Sequence, residues 1–191
     1  VVDALAQVGA RAALEWKLDG IRVQIHRNGN DIRVFTRTLD DISARVPELV
    51  EVTAALDVHD VVLDGEAIAL DELGRPRPFQ ETAARTSSRL EVETLRGATP
   101  LTVFVFDVLQ LDGEPALAKP AHERQRLLDA VVPPGLRVPR VITDDPADAT
   151  AFFAEAIAHG HEGVVVKSLD APYEAGRRGA GWVKVKPRHT L

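Results

Sequence analysis

Cysteine is absent from all 191 residues, which excludes disulfides, thiolate metal sites and cysteine nucleophiles. No apolar run approaches the ~18–20 residues that cross a bilayer, and no signal-peptide pattern opens the chain. Lysine is scarce, five residues against eighteen arginines, so ordinary surface charge is supplied as guanidinium. Four of the five lysines (Lys17, Lys167, Lys184 and Lys186) nevertheless fall in three short segments, leaving only Lys119 elsewhere. Where arginine serves generic charge, a retained lysine points to chemistry that guanidinium cannot do, such as nucleophilic attack.

Hydrophobic residues at 45% and charged residues at 27% are ordinary for a globular domain, and the length holds one good-sized core. The net charge of −6 does not mark a nucleic-acid binder, although the local field rather than the sum decides that. Arg177, Arg178, Lys184, Lys186 and Arg188 crowd the last fifteen residues, while acids gather in 40–72 and 144–155. The start at Val1 and the abrupt stop at Leu191 read as a piece of a longer protein.

Alternation predicts a strand over Leu14–Leu18, then a hairpin. Ile21, Val23 and Ile25 oppose Arg22, Gln24 and His26, Asn28-Gly29 turns, and Ile32–Phe35 returns. Asp41 or Ser43 is expected to cap a helix through about Leu56 that buries Val46, Leu49, Val50 and Leu56. Val61–Leu70 and Leu101–Leu109 read as strands interrupted by the acids Glu66 and Asp107. Helices are expected at about Pro120–Val131 and at Pro146–Ala158, the latter with Asp145 as N-cap and Gly160 as stop. Strands follow at Gly163–Lys167 and Trp182–Lys186. Many antiparallel strands with interspersed helices imply an α+β domain.

Three segments bear charges in patterns suited to chemistry. In Lys17-Leu18-Asp19-Gly20-Ile21-Arg22, a strand-end amine and a guanidinium flank a tight turn whose glycine admits a ligand closely. A solvated hairpin with incidental charges has the same wording. Glu162-Gly163-Val164-Val165-Val166-Lys167 puts an acid and a lysine at the two ends of an apolar strand. Ordinary charged sheet ends look alike. Trp182-Val183-Lys184-Val185-Lys186 sets two ammonium groups on one face, suited either to a polyphosphate or to a protected edge strand. Gly176–Gly181 reads as a basic turn without the strand–loop–helix context of a phosphate loop, and the six histidines show no metal-ligand spacing.

Taken in order, Lys-x-Asp-Gly-x-Arg, Asp64-Gly65-Glu66, Phe106-Asp107, Glu-Gly-x-x-x-Lys and Lys-x-Lys resemble the motif series of the covalent nucleotidyltransferases: DNA ligases, RNA ligases and mRNA capping enzymes. Glu15-Trp16-Lys17-Leu18-Asp19-Gly20, Phe35-Thr36-Arg37, Leu63–Ala67, Phe106–Leu109 and Tyr173-Glu174-x-Gly-Arg-Arg are most similar to the ATP-dependent DNA ligases. Leu18 departs from the usual aromatic, and Phe79–Arg85 follows the family's basic stretch only loosely.

That resemblance implies an α+β, ATP-grasp-like nucleotidyltransferase fold of mainly antiparallel sheets flanked by helices, with a nucleotide cleft between them. It implies that Lys17 takes AMP from ATP and passes it to the 5′-phosphate of a nick. Glu15 would read the adenine edge, Phe106 would stack on the base, and Arg22 and Glu66 would contact the ribose. Lys167, Lys184 and Lys186 would serve the α-phosphate, Arg37 would face the nick phosphate, and Glu66 and Glu162 would hold Mg²⁺. Only ~10⁻³ to 10⁻⁴ of free lysine is neutral near pH 7, so the site must favour the neutral amine. Nearby cations act in that direction and nearby acids against it.

The resemblance further implies that residues 1–191 are one adenylation domain, without the family's C-terminal OB-fold domain or any N-terminal DNA-binding domain. Nicked duplex DNA would be the partner of a cytoplasmic monomer. The Arg- and Ala-rich composition points to a bacterial source. An RNA ligase, a capping-type enzyme and a non-catalytic nucleotide-binding module are the alternatives.

Overall fold

The computed structural model describes residues 1–9, 11–176 and 181–187; the predicted basic turn at Arg177 and Arg178, and Arg188, lie outside them. Along the chain run α1 (Val2–Val8), β1 (Ala12–Trp16), β2 (Ile21–Asn28), β3 (Asp31–Thr36), α2 (Pro47–Ala54), β4 (Asp60–Ala69), α3 (Phe79–Ser87) and α4 (Val92–Ala98). There follow β5 (Leu101–Leu111), β6 (Glu114–Pro115), α5 (Ala121–Val131), β7 (Arg140–Thr143), α6 (Pro146–Ala158), β8 (Val164–Ser168) and β9 (Trp182–Val185). The chain divides into two compact units: Val1–Leu18, Leu117–Glu123 and the described part of Val138–Leu191 in the first, Asp19–Ala116 and Arg124–Arg137 in the second.

The first unit is a four-stranded antiparallel sheet in the order β7-β1-β8-β9. Alternate residues Ala12 and Leu14 of β1 and Val164 and Val166 of β8 form a core with Ala4 and Leu5 of α1 and Ala149 and Ala156 of α6. Phe152 and Phe153 of α6 pack against the same core, partly buried. Asp145 caps α6 as expected, accepting the Ala147 N–H at 2.7 Å, with Pro146 opening the first turn.

The second unit is a five-stranded antiparallel sheet in the order β3-β2-β4-β5-β6. The hairpin expected at Asn28-Gly29 turns one residue later: Asn28 still pairs with Asp31, and Gly29, at φ 59°, and Asn30 are the two turn residues. Val23, Ile25, Val34, Leu63, Val103 and Val105 face a core completed by Leu49 of α2 and Leu128 of α5.

The helix expected from Asp41 or Ser43 to Leu56 is shorter than predicted. Ser43 accepts the Val34 N–H through its hydroxyl at 2.8 Å and Asp41 binds Ser43, so neither caps a helix. A 3₁₀ turn at Ser43–Arg45 comes first and Pro47 starts α2, while Val46, Leu49 and Leu56 are buried as expected. Arg85, in the segment likened to a basic DNA-binding stretch, is fully buried in α3. It donates to both Glu48 oxygens at 2.8 and 2.9 Å and to the Arg45 carbonyl. It serves as an internal staple.

Candidate active site

In the first unit β1 stops at Trp16, and Lys17 is held by paired backbone bonds. Its N–H donates to Gly163 O at 2.8 Å, and its carbonyl accepts the Glu162 N–H at 3.1 Å. These bonds bring two segments far apart in sequence together, so that Lys17 Nζ donates to Glu162 Oε2. Lys186 Nζ donates to the other oxygen, Oε1, at 3.2 Å. Burial would raise the Glu162 carboxyl. Hydrogen bonds and charge from Lys17, then Lys186, outweigh that and hold it below the usual glutamate range. One carboxylate under two ammonium groups leaves a net positive charge, which suits a polyphosphate.

Glycine at 163 makes the arrangement possible. Its backbone runs at φ +142°, and a Cβ there would meet Val185 O at 2.0 Å. Two strands therefore approach at the point where Glu162 leaves the loop after α6.

On the sheet face opposite the helices, Glu15 and Lys167 are buried at 2% and 5% exposure and are joined as an ion pair. Lys167 Nζ also lies 4.0 Å from the Trp182 ring centroid, a cation–π contact. Lys184, on β9 opposite Val165, is exposed. A cross-strand row thus runs Arg140, Glu15, Val165, Lys184. Expected as separate contacts to base and phosphate, Glu15 and Lys167 neutralise one another here, as buried charges must.

In the second unit, Arg22 on β2 forks onto Asp64 on β4, with Nε to Oδ1 at 3.1 Å and Nη2 to Oδ2 at 2.6 Å. Its guanidinium stands 5.6 Å over the Phe106 ring. The β4–β5 register shifts between Asp64 and Gly65, so β5 bulges at Phe106 and the aromatic ring is re-aimed. Glu66 pairs with Arg22 across the strands and accepts the Gly20 N–H at 3.2 Å. A Cβ at Gly20 would lie 2.2 Å from Ala67 O, so the Asp-Gly turn needs its glycine for close packing. Arg37 is exposed just beyond β3, at the turn where Thr36 and Asp40 close on one another.

The structure thus assembles Lys17, Glu162 and Lys186 as one set, Glu15 and Lys167 as a second, and Arg22, Glu66 and Phe106 as a third. Sequence reasoning left out Asp64, Trp182 and Arg140 as site residues. The signal for Asp64 was its period of two with Glu66 on a strand beside Arg22. The signal for Trp182 was its position two residues before Lys184. No group of three or more His, Asp or Glu side chains suited to a metal occurs among the described residues. Single carboxylates such as Glu162 and Glu66 are nonetheless the donors Mg²⁺ takes, since it fills most of its shell with water and phosphate oxygens.

Antiparallel sheets flanked by helices, with a strand-end lysine fixed on a glutamate and a second lysine strand beside it, define a nucleotidyltransferase domain. The profile of the ATP dependent DNA ligase domain matches residues 1–186, and the chain belongs to that family. A "Probable DNA ligase" of Mycolicibacterium gilvum (strain PYR-GCK) is 56% identical over 191 residues, covering 100% of this chain and 37% of the relative. Another "Probable DNA ligase", of Anaeromyxobacter sp. (strain Fw109-5), is 55% identical with the same coverage of both chains. A solved structure described as mycobacterial DNA ligase D complexed with ATP and MES superposes with a TM-score of 0.71 at 33% identity, over 93% of this chain and 55% of that one. The chain therefore spans little more than a third of the length of the curated relatives it matches.

Proposed function

We propose that this chain is the adenylation core of an ATP-dependent DNA ligase. Lys17 Nζ, as the neutral amine, attacks the α-phosphorus of ATP; an N–P bond forms, the P–O bond to pyrophosphate breaks, and the amine gives up a proton. The resulting lysyl-AMP passes its AMP to the 5′-phosphate of a DNA nick, which releases Lys17. The adjoining 3′-hydroxyl then attacks that phosphate and AMP departs. The observation that carries the reading is the meeting of Lys17 with Glu162, and of Glu162 with Lys186, at a strand end.

Each residue has work to do in that sequence. The arriving triphosphate competes with Glu162 for the two ammonium groups, so charge that is internally satisfied becomes available to the ligand. Lys184 adds positive charge against the load building on the α-phosphate and leaving pyrophosphate, while Lys167 touches the α-phosphate region from its pair with Glu15. Phe106 stacks on adenine, Glu15 reads its edge, and Arg22, fixed by Asp64, contacts the ribose with Glu66. Arg37 meets the nick phosphate. Mg²⁺, held by Glu162 and Glu66, would supply Lewis-acid charge stabilisation. An ATP-grasp-like way of holding the nucleotide belongs to the same reading. So do an OB-fold domain in the same polypeptide and a monomeric, cytoplasmic enzyme.

Incubating the full-length protein with α-labelled ATP and Mg²⁺ tests this. Acid-labile, base-resistant label is expected on the wild type and none on Lys17→Ala. Label that survives the substitution would refute the assignment, and a preference for GTP would indicate a capping-type guanylyltransferase instead. Nick sealing on DNA against RNA duplexes decides the substrate.

A further inference from the structure

Lys17 and Glu162 each directly follow an aromatic residue, Trp16 and His161, and those two rings are in contact. Trp16 ends β1 with its indole beside two tilted imidazoles, its ring centroid 4.9 Å from His159 and 4.9 Å from His161, at interplanar angles of 35° and 37°. Phe152 of α6 approaches the same ring at 6.2 Å. His161 is buried, and its backbone N–H donates to Ala156 O at 3.0 Å, while the His159 backbone N–H donates to Glu155 O at 3.0 Å. The ring cluster therefore joins the end of α6, the loop that delivers Glu162 and the strand end that delivers Lys17.

Packing holds the Trp16 and His161 rings, while the His159 ring also donates through Nδ1 to Glu155 O at 2.9 Å. Trp16 Nε1 and His161 Nδ1 are buried without a hydrogen-bond partner among the described residues. The backbone bonds between Lys17 and Gly163 and between Glu162 and Lys17 fix the two segments in register. These bonds fix backbone and not side chains, and the contact between Trp16 and His161 anchors the backbone of the same two segments on the helix-facing side of the sheet, opposite Glu15.

We propose that Trp16, packed against His159 and His161, is a positioning residue that sets the approach of the Lys17 amine to the Glu162 carboxylate. The proposal rests on the lysyl-AMP chemistry proposed above. It assigns the ring cluster a role in the rate of that step and none in holding ATP.

The test measures lysyl-AMP formation in a single turnover of the full-length protein across a range of ATP concentrations, alongside thermal melting. Trp16→Ala is expected to lower the maximal rate about 100-fold while the half-saturating ATP concentration stays within about 3-fold, since misplacement on the scale of 1 Å costs that much. Trp16→Phe keeps an aromatic face and loses part of the indole with an N–H that has no partner among the described residues, so it should return to within about 5-fold of wild type. His161→Ala should slow the step about 10-fold at unchanged half-saturation. The proposal is overturned if Trp16→Ala keeps the wild-type rate, if the loss lies in half-saturation alone, or if Phe is as slow as Ala. Should Trp16→Ala fail to fold, the other two variants decide, and wild-type rates in both would overturn it. Wild-type protein that takes no label brings down the lysyl-AMP reading itself, whereas a labelled wild type with an unaffected Trp16→Ala brings down only the positioning role.

Discussion

At Gly163 a single hydrogen atom in place of a methyl group keeps two strands together. The φ of +142° is strained for any L side chain, and the nearest obstacle is the Val185 carbonyl, which cannot move without breaking the β8–β9 ladder. Gly163→Ala is therefore expected to destabilise the fold by about 2–4 kcal/mol, read from the midpoint of urea unfolding. A midpoint within experimental scatter of wild type would contradict the packing described. Lys17, Glu162, Lys186, Arg22 and Glu66 were legible in the sequence because each sits at a fixed place in a short local pattern. Trp16 and His161 gain their meaning only from one another, far apart in the chain, and no spacing rule reveals that contact.

Among elements, α3 shows how a helix can hide from pattern reading. Its buried residues are Thr82, Arg85 and Thr86, so the inner face carries hydrogen bonds where an apolar stripe would be sought. Thr82 Oγ1 accepts the Ala69 N–H at 2.9 Å, and Arg85 forks onto Glu48, which also accepts the Leu101 N–H at 3.1 Å. Arg85→Ala leaves the Glu48 carboxylate short of its partner inside the unit. The expected cost is about 3–5 kcal/mol in chemical unfolding. Little change would mean that solvent reaches Glu48. Elements with apolar periodicity and marked ends, such as α6 and the β2–β3 hairpin, were read to within a residue or so. By contrast, α1 has no side-chain cap, α4 follows a left-handed Glu91, and β7 has four residues, too few for a period to register.

For the molecule as a whole, acid should act in two stages. Burial lowers His26, and burial followed by the charge of His159 lowers His161, both from an ordinary 6.5. The unfolded chain then binds protons more readily than the folded one. Stability is fully present above about pH 6.5 and declines as pH falls through the lower folded values. Glu162, held below an ordinary 4.5, adds a second decline at more acid pH. Urea midpoints measured from about pH 8 down to about pH 4 should be flat at first and then fall, and a constant midpoint would contradict the buried His161 and half-buried His26. The division into two units has a practical counterpart in where the indoles lie. The chain has two tryptophans, Trp16 beside two imidazoles and Trp182 against the Lys167 ammonium, and both belong to the first unit. Intrinsic emission is thus a built-in optical gauge of that unit alone, with the second unit dark, and a change in colour or intensity on adding nucleotide would originate beside Lys17 or at Lys167.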